Sequence, residues 1–361
     1  MYFCTSSNDF PLPLRTDPCA LGHDLLPRPC PPPDSAPHLA PADVTDAQRA
    51  LRDAGGASLS THDGVTVGGW EVRTSRTPIL GKEALAGLEA RLGTSHLPEM
   101  VYGSALTLTH AESNTKLHFN AEDALREWLV ENAPPLKIAA AARWAEAHRL
   151  RFGTGAPPNT NSGSSGSAPP PGWDETQPIS DYDWTFTTPY RGSVMRGGEA
   201  AGEEASSSED CSNRKTNTQK KSWMSTQKRV DRGALMAREP ILFFDELTLY
   251  ESELDDNGES SVTIKVRVMP TCWFVLMRFW MRCDGVRVRL RETRFFCKID
   301  KNKTPVVIRE SARRDESFVD LKKRGAPGNA AAYPNADEAA SVLLAAGGPV
   351  EMEFHELGDG L

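Results

Sequence analysis

The 361-residue chain has a formal net charge of −8 and contains seven cysteines. Its acidic balance argues against nucleic-acid binding by the whole protein, and the odd number of cysteines without a Cys-x-x-Cys pair indicates reduced thiols rather than a disulfide framework. The sequence shows no secretory signal and no apolar run near the roughly 20 residues that span a bilayer, so a soluble protein without membrane association is predicted.

The first part of the chain changes from low complexity to periodic structure. Residues 1–60 are rich in proline, alanine and aspartate, and their composition predicts a mostly disordered N-terminal tail. A strand or a pair of strands is predicted over 65–75. A helix is predicted over 82–92, where leucines recur on one face, and an extended segment over 100–108.

Two further helices and two inserts are predicted next. Asn120 suits the N-cap of a helix, and Asp123 follows three residues later in a variant of the capping box. An alanine-rich helix is predicted around 137–149. The segments at about 153–178 and 196–234 are predicted to be flexible inserts, because their compositions cannot bury enough apolar surface to offset the entropy of ordering.

The remaining segments predict strands. Residues 182–190 alternate aromatic and polar side chains, which predicts a half-buried strand. The strongest local signal is Asp284-Gly285, which predicts a hairpin turn with positive φ at both central residues. Trp273–Met277 before the turn is apolar on both faces, which predicts a strand deep in a sheet. Further strands are predicted over 241–250, 262–268 and 304–309.

Helices followed by a strand-rich half with short turns predict an α+β fold. We expect a single domain over residues 61–325 with a largely antiparallel, twisted sheet and a few helices. Residues 326–361 are rich in glycine and alanine and are predicted to form a divergent C-terminal tail, with one helix near 337–345.

The sequence contains no motif that predicts catalysis. A phosphate-binding loop, a dinucleotide fingerprint, a nucleophile elbow and a paired-histidine zinc motif are all missing. His110 and His118 lie close together, but at a spacing that fits no metal motif. The sequence therefore predicts a protein that is not an enzyme and needs neither cofactor nor metal.

The most distinctive pattern is the alternation of basic and apolar residues around the hairpin. A solvated sheet face is the simplest interpretation, although clustered guanidinium groups also suit carboxylate recognition. Nucleic acid is an alternative ligand, but Phe279 and Trp280 fall in the strand that is predicted to be buried. The basic residues of this predicted face are Lys265, Arg267, Arg287, Arg289, Arg291 and Arg294.

Several segments stand out along the chain: Gly69-Trp70, Leu97-Pro-Glu-Met100, Phe119-Asn-Ala, Tyr182-Asp-Trp-Thr and the hairpin of 267–294. Together they resemble the TIPRL (TIP41-like) family, in the family's order and over residues of about 65–321. The resemblance implies a non-enzymatic regulator in TOR signalling that binds the catalytic subunits of type 2A protein phosphatases, including their C-terminal tail. Other regulatory subunits of the pathway are further expected partners, and the cytoplasm and nucleus are the expected locations.

The resemblance and the basic pattern together predict the partner-binding residues. For Asp123, a helix cap and a partner contact remain alternatives. The arginines of this set are expected to bind the terminal carboxylate of the phosphatase tail. The full set is Asp123, Ile241, Arg267, Arg289, Leu290, Glu292 and Arg294.

Overall fold

The structure is a computed structural model that describes residues 41–59, 63–131, 133–136, 182–196, 223–300 and 302–357. These residues form helices and two antiparallel sheets, which confirms the predicted α+β fold. The helices are α1 (Pro41–Asp53), α2 (Lys82–Leu92), α3 (Ala121–Glu131), α4 (Arg232–Met236), α5 (Phe318–Lys323) and α6 (Ala336–Ala345). No described helix has both the length and the apolar character needed to cross a membrane.

The strands form one sheet of six and one sheet of eight. In chain order they are β1 (Ala57–Ser58), β2 (Gly64–Val67), β3 (Trp70–Ser75), β4 (Met100–Val101), β5 (Ala105–His110), β6 (Thr115–Asn120), β7 (Ser193–Arg196), β8 (Met224–Ser225), β9 (Phe243–Ser252), β10 (Gly258–Val268), β11 (Cys272–Cys283), β12 (Arg287–Lys298), β13 (Val306–Ser317) and β14 (Val350–Glu356). The smaller sheet has the order β1-β2-β3-β5-β6-β7, and the larger sheet has the order β4-β9-β10-β11-β12-β13-β14-β8.

The two sheets share one apolar core. Side chains alternate between the faces of each strand, so one face of the larger sheet, here called the inner face, packs against the smaller sheet. Trp70 of β3 meets Trp273 of β11 with ring centroids 5.0 Å apart, and Phe119 of β6 meets Phe295 of β12 at 5.3 Å. These aromatic pairs lie edge to face, the arrangement that their ring quadrupoles favour.

The opposite face of the larger sheet, here called the outer face, is covered at both ends. At one end, Val288 and Leu290 are buried in a cluster with residues of α5 and α6, such as Phe318 and Leu343. At the other end, Phe296 is buried against Val230 and partly buried residues of α4. Because Glu292 and Arg294 fall between Leu290 and Phe296 on the same face of β12, polar side chains occupy the interval between the two covers.

The turn of the central hairpin differs from the prediction. The Val286 N–H donates to the Cys283 carbonyl at 3.0 Å, and of the two residues between them only Gly285 has positive φ, at 75°. Positive φ at the third position alone is the pattern of a type II turn, in which glycine is favoured there. The predicted hairpin is therefore present, but Asp284 does not need the left-handed conformation.

Residues 182–190 do not form the predicted strand. The segment has no regular secondary structure, and most of its side chains are buried. Asp183 replaces the missing ladder hydrogen bonds: its carboxylate accepts from the backbone N–H groups of Thr185 and Thr187 at 3.2 and 3.0 Å. The alternation of aromatic and polar residues therefore reflects burial of a loop whose polar groups are satisfied internally.

The structure also changes the predicted boundaries. α1 and β1 lie inside the predicted disordered tail of residues 1–60. β8 lies inside the predicted insert of 196–234, and α4 begins within it. The predicted C-terminal tail contributes α6, close to the predicted helix, and β14, which extends the sheet by pairing with β13. The predicted helix at 137–149 and the predicted insert at 153–178 both lie outside the described residues.

Candidate functional site

Asp123 lies on the wall of a cleft on the protein surface. The cleft encloses about 690 Å³ between α2, the β5–β6 pair and the first turn of α3. Its volume falls within the range of ligand sites, and hydrogen-bonding side chains line much of it. Polar residues around Asp123 in this cleft include Arg91, Tyr102, Ser104, His118, Asn120 and Glu122.

The predicted helix cap at Asn120 is confirmed. The Asn120 Oδ1 atom accepts from the Asp123 backbone N–H at 2.8 Å. The reciprocal bond of a capping box does not form with the Asn120 backbone, because Asn120 Nδ2 donates to Asp123 Oδ2 at 2.9 Å instead. Ser193 of β7 donates to the same oxygen at 2.6 Å. Both of these bonds end on Oδ2, and no hydrogen bond among the described residues ends on Oδ1.

Neighbouring groups hold the cleft in a defined protonation state. Burial, with a smaller effect of Lys116, lowers the pKa of His118, and the Asp123 carboxylate opposes this shift. Burial raises the pKa of Tyr102 to about 12, helped by its hydrogen bond to Glu251. At neutral pH the cleft therefore offers a neutral imidazole and a neutral phenol beside carboxylates, which suits hydrogen bonding more than acid–base chemistry.

The side chain of Glu127, one helical turn beyond Asp123, should make the stability of the protein depend on pH. Burial raises the pKa of Glu127 from 4.5 to about 7, although Arg191 and Arg309 oppose the shift. The folded state therefore holds this proton more tightly than the unfolded state, and the free energy of unfolding should fall as the pH rises from about 4.5 to about 7. Glu127→Gln should be more stable than the native protein at pH 8 by on the order of 2 kcal/mol and nearly equal to it at pH 4.5.

Urea unfolding of both proteins at several pH values measures this difference. Glu83→Gln, which changes an exposed carboxylate in α2, is the matched control and should show no such pH-dependent difference. An equal stability of Glu127→Gln and the native protein at pH 8 would contradict the prediction.

The outer face has an ion-pair cluster, here called the charged strip, formed by Lys265, Arg278, Glu292, Arg294 and Asp337. The buried Glu292 carboxylate contacts Arg278 Nε and Arg294 Nη2, each at 2.6 Å. Asp337, in the first turn of α6, contacts Arg278 and lies 2.9 Å from Lys265 Nζ. Burial would raise the pKa of Asp337, but Lys265 and Arg278 outweigh this effect and lower it.

The predicted basic face is wrong, because the structure divides its members between the two faces of the sheet. Arg287, Arg289 and Arg291 project from the inner face, since the alternate residues Val288 and Leu290 lie under α5 and α6. Arg291 pairs with Glu131 at the end of α3. Lys265, Arg267 and Arg294 project from the outer face.

The predicted partner-binding residues are likewise divided. Arg289 is 8% exposed and pairs with Asp315 at 3.0 Å and with the Thr187 hydroxyl, so its guanidinium group is occupied within the chain. Leu290 is fully buried, whereas Ile241 is 39% exposed. Arg267 donates to the Leu235 carbonyl at 2.8 Å. Asp123 lies in its own cleft rather than on the outer face with Arg267 and the charged strip, and Ile241 lies just before β9.

Sequence reasoning missed Ser193 and the buried Asp183. Ser193 lies next to a segment that the composition marked as an insert, and only the pairing of β6 with β7 brings it to Asp123. Asp183 has a raised pKa, because burial outweighs the hydrogen bonds from Thr185 and the charge of Arg289. Within the described residues, no group of three His, Cys, Asp or Glu side chains could hold a metal ion.

The fold and the two surfaces define a class: a two-sheet α+β protein with a polar cleft and a separate arginine–carboxylate surface. Comparison with known sequences gives the family. The profile of the TIP41-like family matches residues 100–322, and the chain belongs to this family. The resemblance described from the sequence is thereby confirmed.

Relatives from distant eukaryotes match most of the chain. The chain is 43% identical over 265 residues to the "TIP41-like protein" of Arabidopsis thaliana, across 73% of this chain and 81% of the relative. It is 32% identical over 263 residues to the human "TIP41-like protein", across 73% and 80%. It is also 30% identical over 266 residues to the "Type 2A phosphatase activator TIP41" of Saccharomyces cerevisiae, across 73% and 65%.

Proposed function

We propose that this protein regulates type 2A protein phosphatases by binding their catalytic subunits. The observation that supports this proposal most strongly is its similarity to relatives named type 2A phosphatase activators, in S. cerevisiae and in Schizosaccharomyces pombe. The matched region of residues 100–322 contains Asp123 and all of the charged strip except Asp337, whereas α2, which forms one wall of the cleft, precedes it. The proposal includes a place in TOR signalling and a cytoplasmic and nuclear location.

In this proposal the Asp123 cleft binds the body of the catalytic subunit. Asp123 accepts hydrogen bonds from two different elements, from Asn120 at the end of β6 and from Ser193 of β7, so its carboxylate is held in one orientation before a partner arrives. Such preorganisation lowers the entropic cost of binding. Glu122 is held beside it by Arg91 and Arg126 at 3.0 and 2.7 Å, so the cleft offers carboxylates to a basic or hydrogen-donating surface.

The phosphatase tail is proposed to bind on the outer face. Its terminal carboxylate is proposed to contact Arg294, a partly exposed member of the charged strip, or Arg267. The exposed side chain of Phe244 provides an apolar contact nearby, because Phe244 is the cross-strand neighbour of Arg267, and the exposed Ile241 is proposed as a further contact with the phosphatase. Arg289 is not proposed for this role, since it is buried and paired within the chain.

Nucleic-acid binding by the hairpin receives less support. Lys265, Arg278 and Arg294 are each paired with a carboxylate, and Arg287, Arg289 and Arg291 are paired on the opposite face. A phosphate backbone would need these cations to be free and aligned on one surface. The geometry therefore favours recognition of a protein partner.

Two substitutions separate the structural and binding roles of Asp123. Asp123→Asn removes the charge but keeps an oxygen for Ser193, so the melting temperature should change little while the Kd for a purified type 2A catalytic subunit rises at least tenfold. Asn120→Ala removes the cap and one of the two bonds that orient the Asp123 carboxylate, so it should cost about 0.5–2 kcal/mol of stability and raise the Kd by a smaller factor than Asp123→Asn.

Calorimetric titration of the full chain with the catalytic subunit measures both values. An unchanged Kd for Asp123→Asn would leave Asp123 with a structural role alone. A native protein that shows no affinity at micromolar concentrations would overturn the proposed function itself.

A further inference from the structure

A second cavity, here called the basic pocket, opens beyond Phe296 at the end of the larger sheet. It encloses about 410 Å³ where the segment before α4 crosses β12 and β13. Phe296, Val306 and Ile308 provide an apolar floor. The basic pocket shares no lining residue with the Asp123 cleft, and it contains none of the residues predicted to bind the phosphatase.

The rim of the basic pocket has more positive than negative charge. Its cations are Lys228, Arg229, Lys298 and Lys303, and its carboxylates are Asp231 and Asp300. Lys298 Nζ lies 2.7 Å from Asp231 Oδ2, and Lys303 Nζ lies 3.0 Å from Asp300 Oδ2. Among the described residues, Lys228 and Arg229 have no carboxylate partner, so two positive charges remain to be balanced.

The two unbalanced cations stand on a fixed backbone. The Lys228 N–H donates to the Thr226 hydroxyl at 3.0 Å, and the Val230 N–H donates to Glu310 Oε1 at 2.7 Å. Val230 is buried in the cluster that contains Phe296. The segment therefore holds Lys228 and Arg229 at the mouth of the pocket before any ligand binds, which reduces the ordering cost.

We propose that the basic pocket binds a linear segment of a partner protein that contains phosphoserine or phosphothreonine next to an aliphatic residue. A phosphate monoester has a charge of about −1.5 to −2 at neutral pH, which matches the two unbalanced cations. Arg229 can form paired hydrogen bonds to phosphate oxygens, and Lys228 adds a point charge. The aliphatic side chain packs on Phe296 and Ile308. The volume suits a phosphate group and one such side chain.

Fluorescence anisotropy with the full chain tests the proposal. The probe is a fluorescein-labelled heptapeptide in which leucine flanks phosphoserine on both sides. We expect saturable binding that weakens at least tenfold when serine replaces phosphoserine, and several-fold when glycine replaces both leucines. The double variant Lys228→Ala/Arg229→Ala should also weaken binding at least tenfold, because it removes both charge-assisted contacts.

The matched control is Arg232→Ala/Arg238→Ala, which removes the same charge from nearby exposed residues outside the pocket. Its Kd should stay within twofold of the native value, and melting curves should show all variants folded. Equal weakening by both double variants would overturn the proposal, since the attraction would then be non-specific. Inorganic phosphate that competes as strongly as the peptide would also overturn it, because the pocket would then bind the anion alone.

Discussion

Glu292→Ala should lower the free energy of unfolding by about 3–5 kcal/mol, the range measured when one partner of a buried ion pair is removed. The Glu292 side chain is 2% exposed and is shared by Arg278 and Arg294. Its loss would remove the carboxylate that Arg294 contacts and would leave the largely buried Arg278 with Asp337 alone. Denaturant unfolding followed by fluorescence measures the change.

Glu259→Ala is the matched control for this substitution. Glu259 lies in the same sheet and faces an arginine, Arg282, at 3.8 Å, but its side chain is 49% exposed. Exposed pairs contribute about 0–1 kcal/mol, so this variant should unfold at nearly the native denaturant concentration. If Glu292→Ala were as stable as Glu259→Ala and lost phosphatase affinity, Glu292 would be a contact residue rather than a structural one.

Leu290→Ala should cost about 2–5 kcal/mol, because the side chain is fully buried beneath α5 and α6 and its truncation leaves a cavity. Ile241→Ala should cost little stability, since Ile241 is 39% exposed, but it should weaken phosphatase binding under the proposed function. Thermal melting and calorimetric titration of both variants separate the two roles.

Val319→Ala provides the control for Leu290→Ala. Val319 is an aliphatic residue of α5, in the same cover of the sheet, and it is 57% exposed. Its truncation should change the free energy of unfolding by no more than about 0.5 kcal/mol. A similar cost for Leu290→Ala and Val319→Ala would show that α5 and α6 do not seal the core over β12.

Taken together, the positions of Leu290 and Glu292 change the interpretation of the predicted contact set. Both residues lie on the outer face, but α5, α6 and flanking arginines bury them. Substitutions at either position can therefore reduce binding by destabilising the surface rather than by removing a contact. Of the predicted contacts, Arg267 and Arg294 have partly exposed side chains on the outer face, and Ile241, just before β9, is exposed.

Local patterns determined much of the fold. The leucine spacing of α2, the Asn120 cap of α3 and the alternation in β10 each depend on contacts within a few residues, so the sequence predicted them. The segment at the start of β11 is apolar on both faces, and this pattern correctly predicted a strand with a neighbouring strand on each side. β14 was missed, because its pairing with β13 joins residues more than 30 positions apart, which a local pattern does not encode.

The two faces of β12 show what only the tertiary structure decided. Alternation of arginine and aliphatic residues determined that the two kinds of side chain point in opposite directions. It did not determine which face would be open, and the simplest assumption placed the arginines in solvent. α5 and α6 instead cover the aliphatic face, while α3 and the loop of 182–190 cover the arginines through Glu131 and Thr187. The sequence alone therefore established the family, the α+β class and the central hairpin, whereas the surface available to a partner followed from the packing of distant segments.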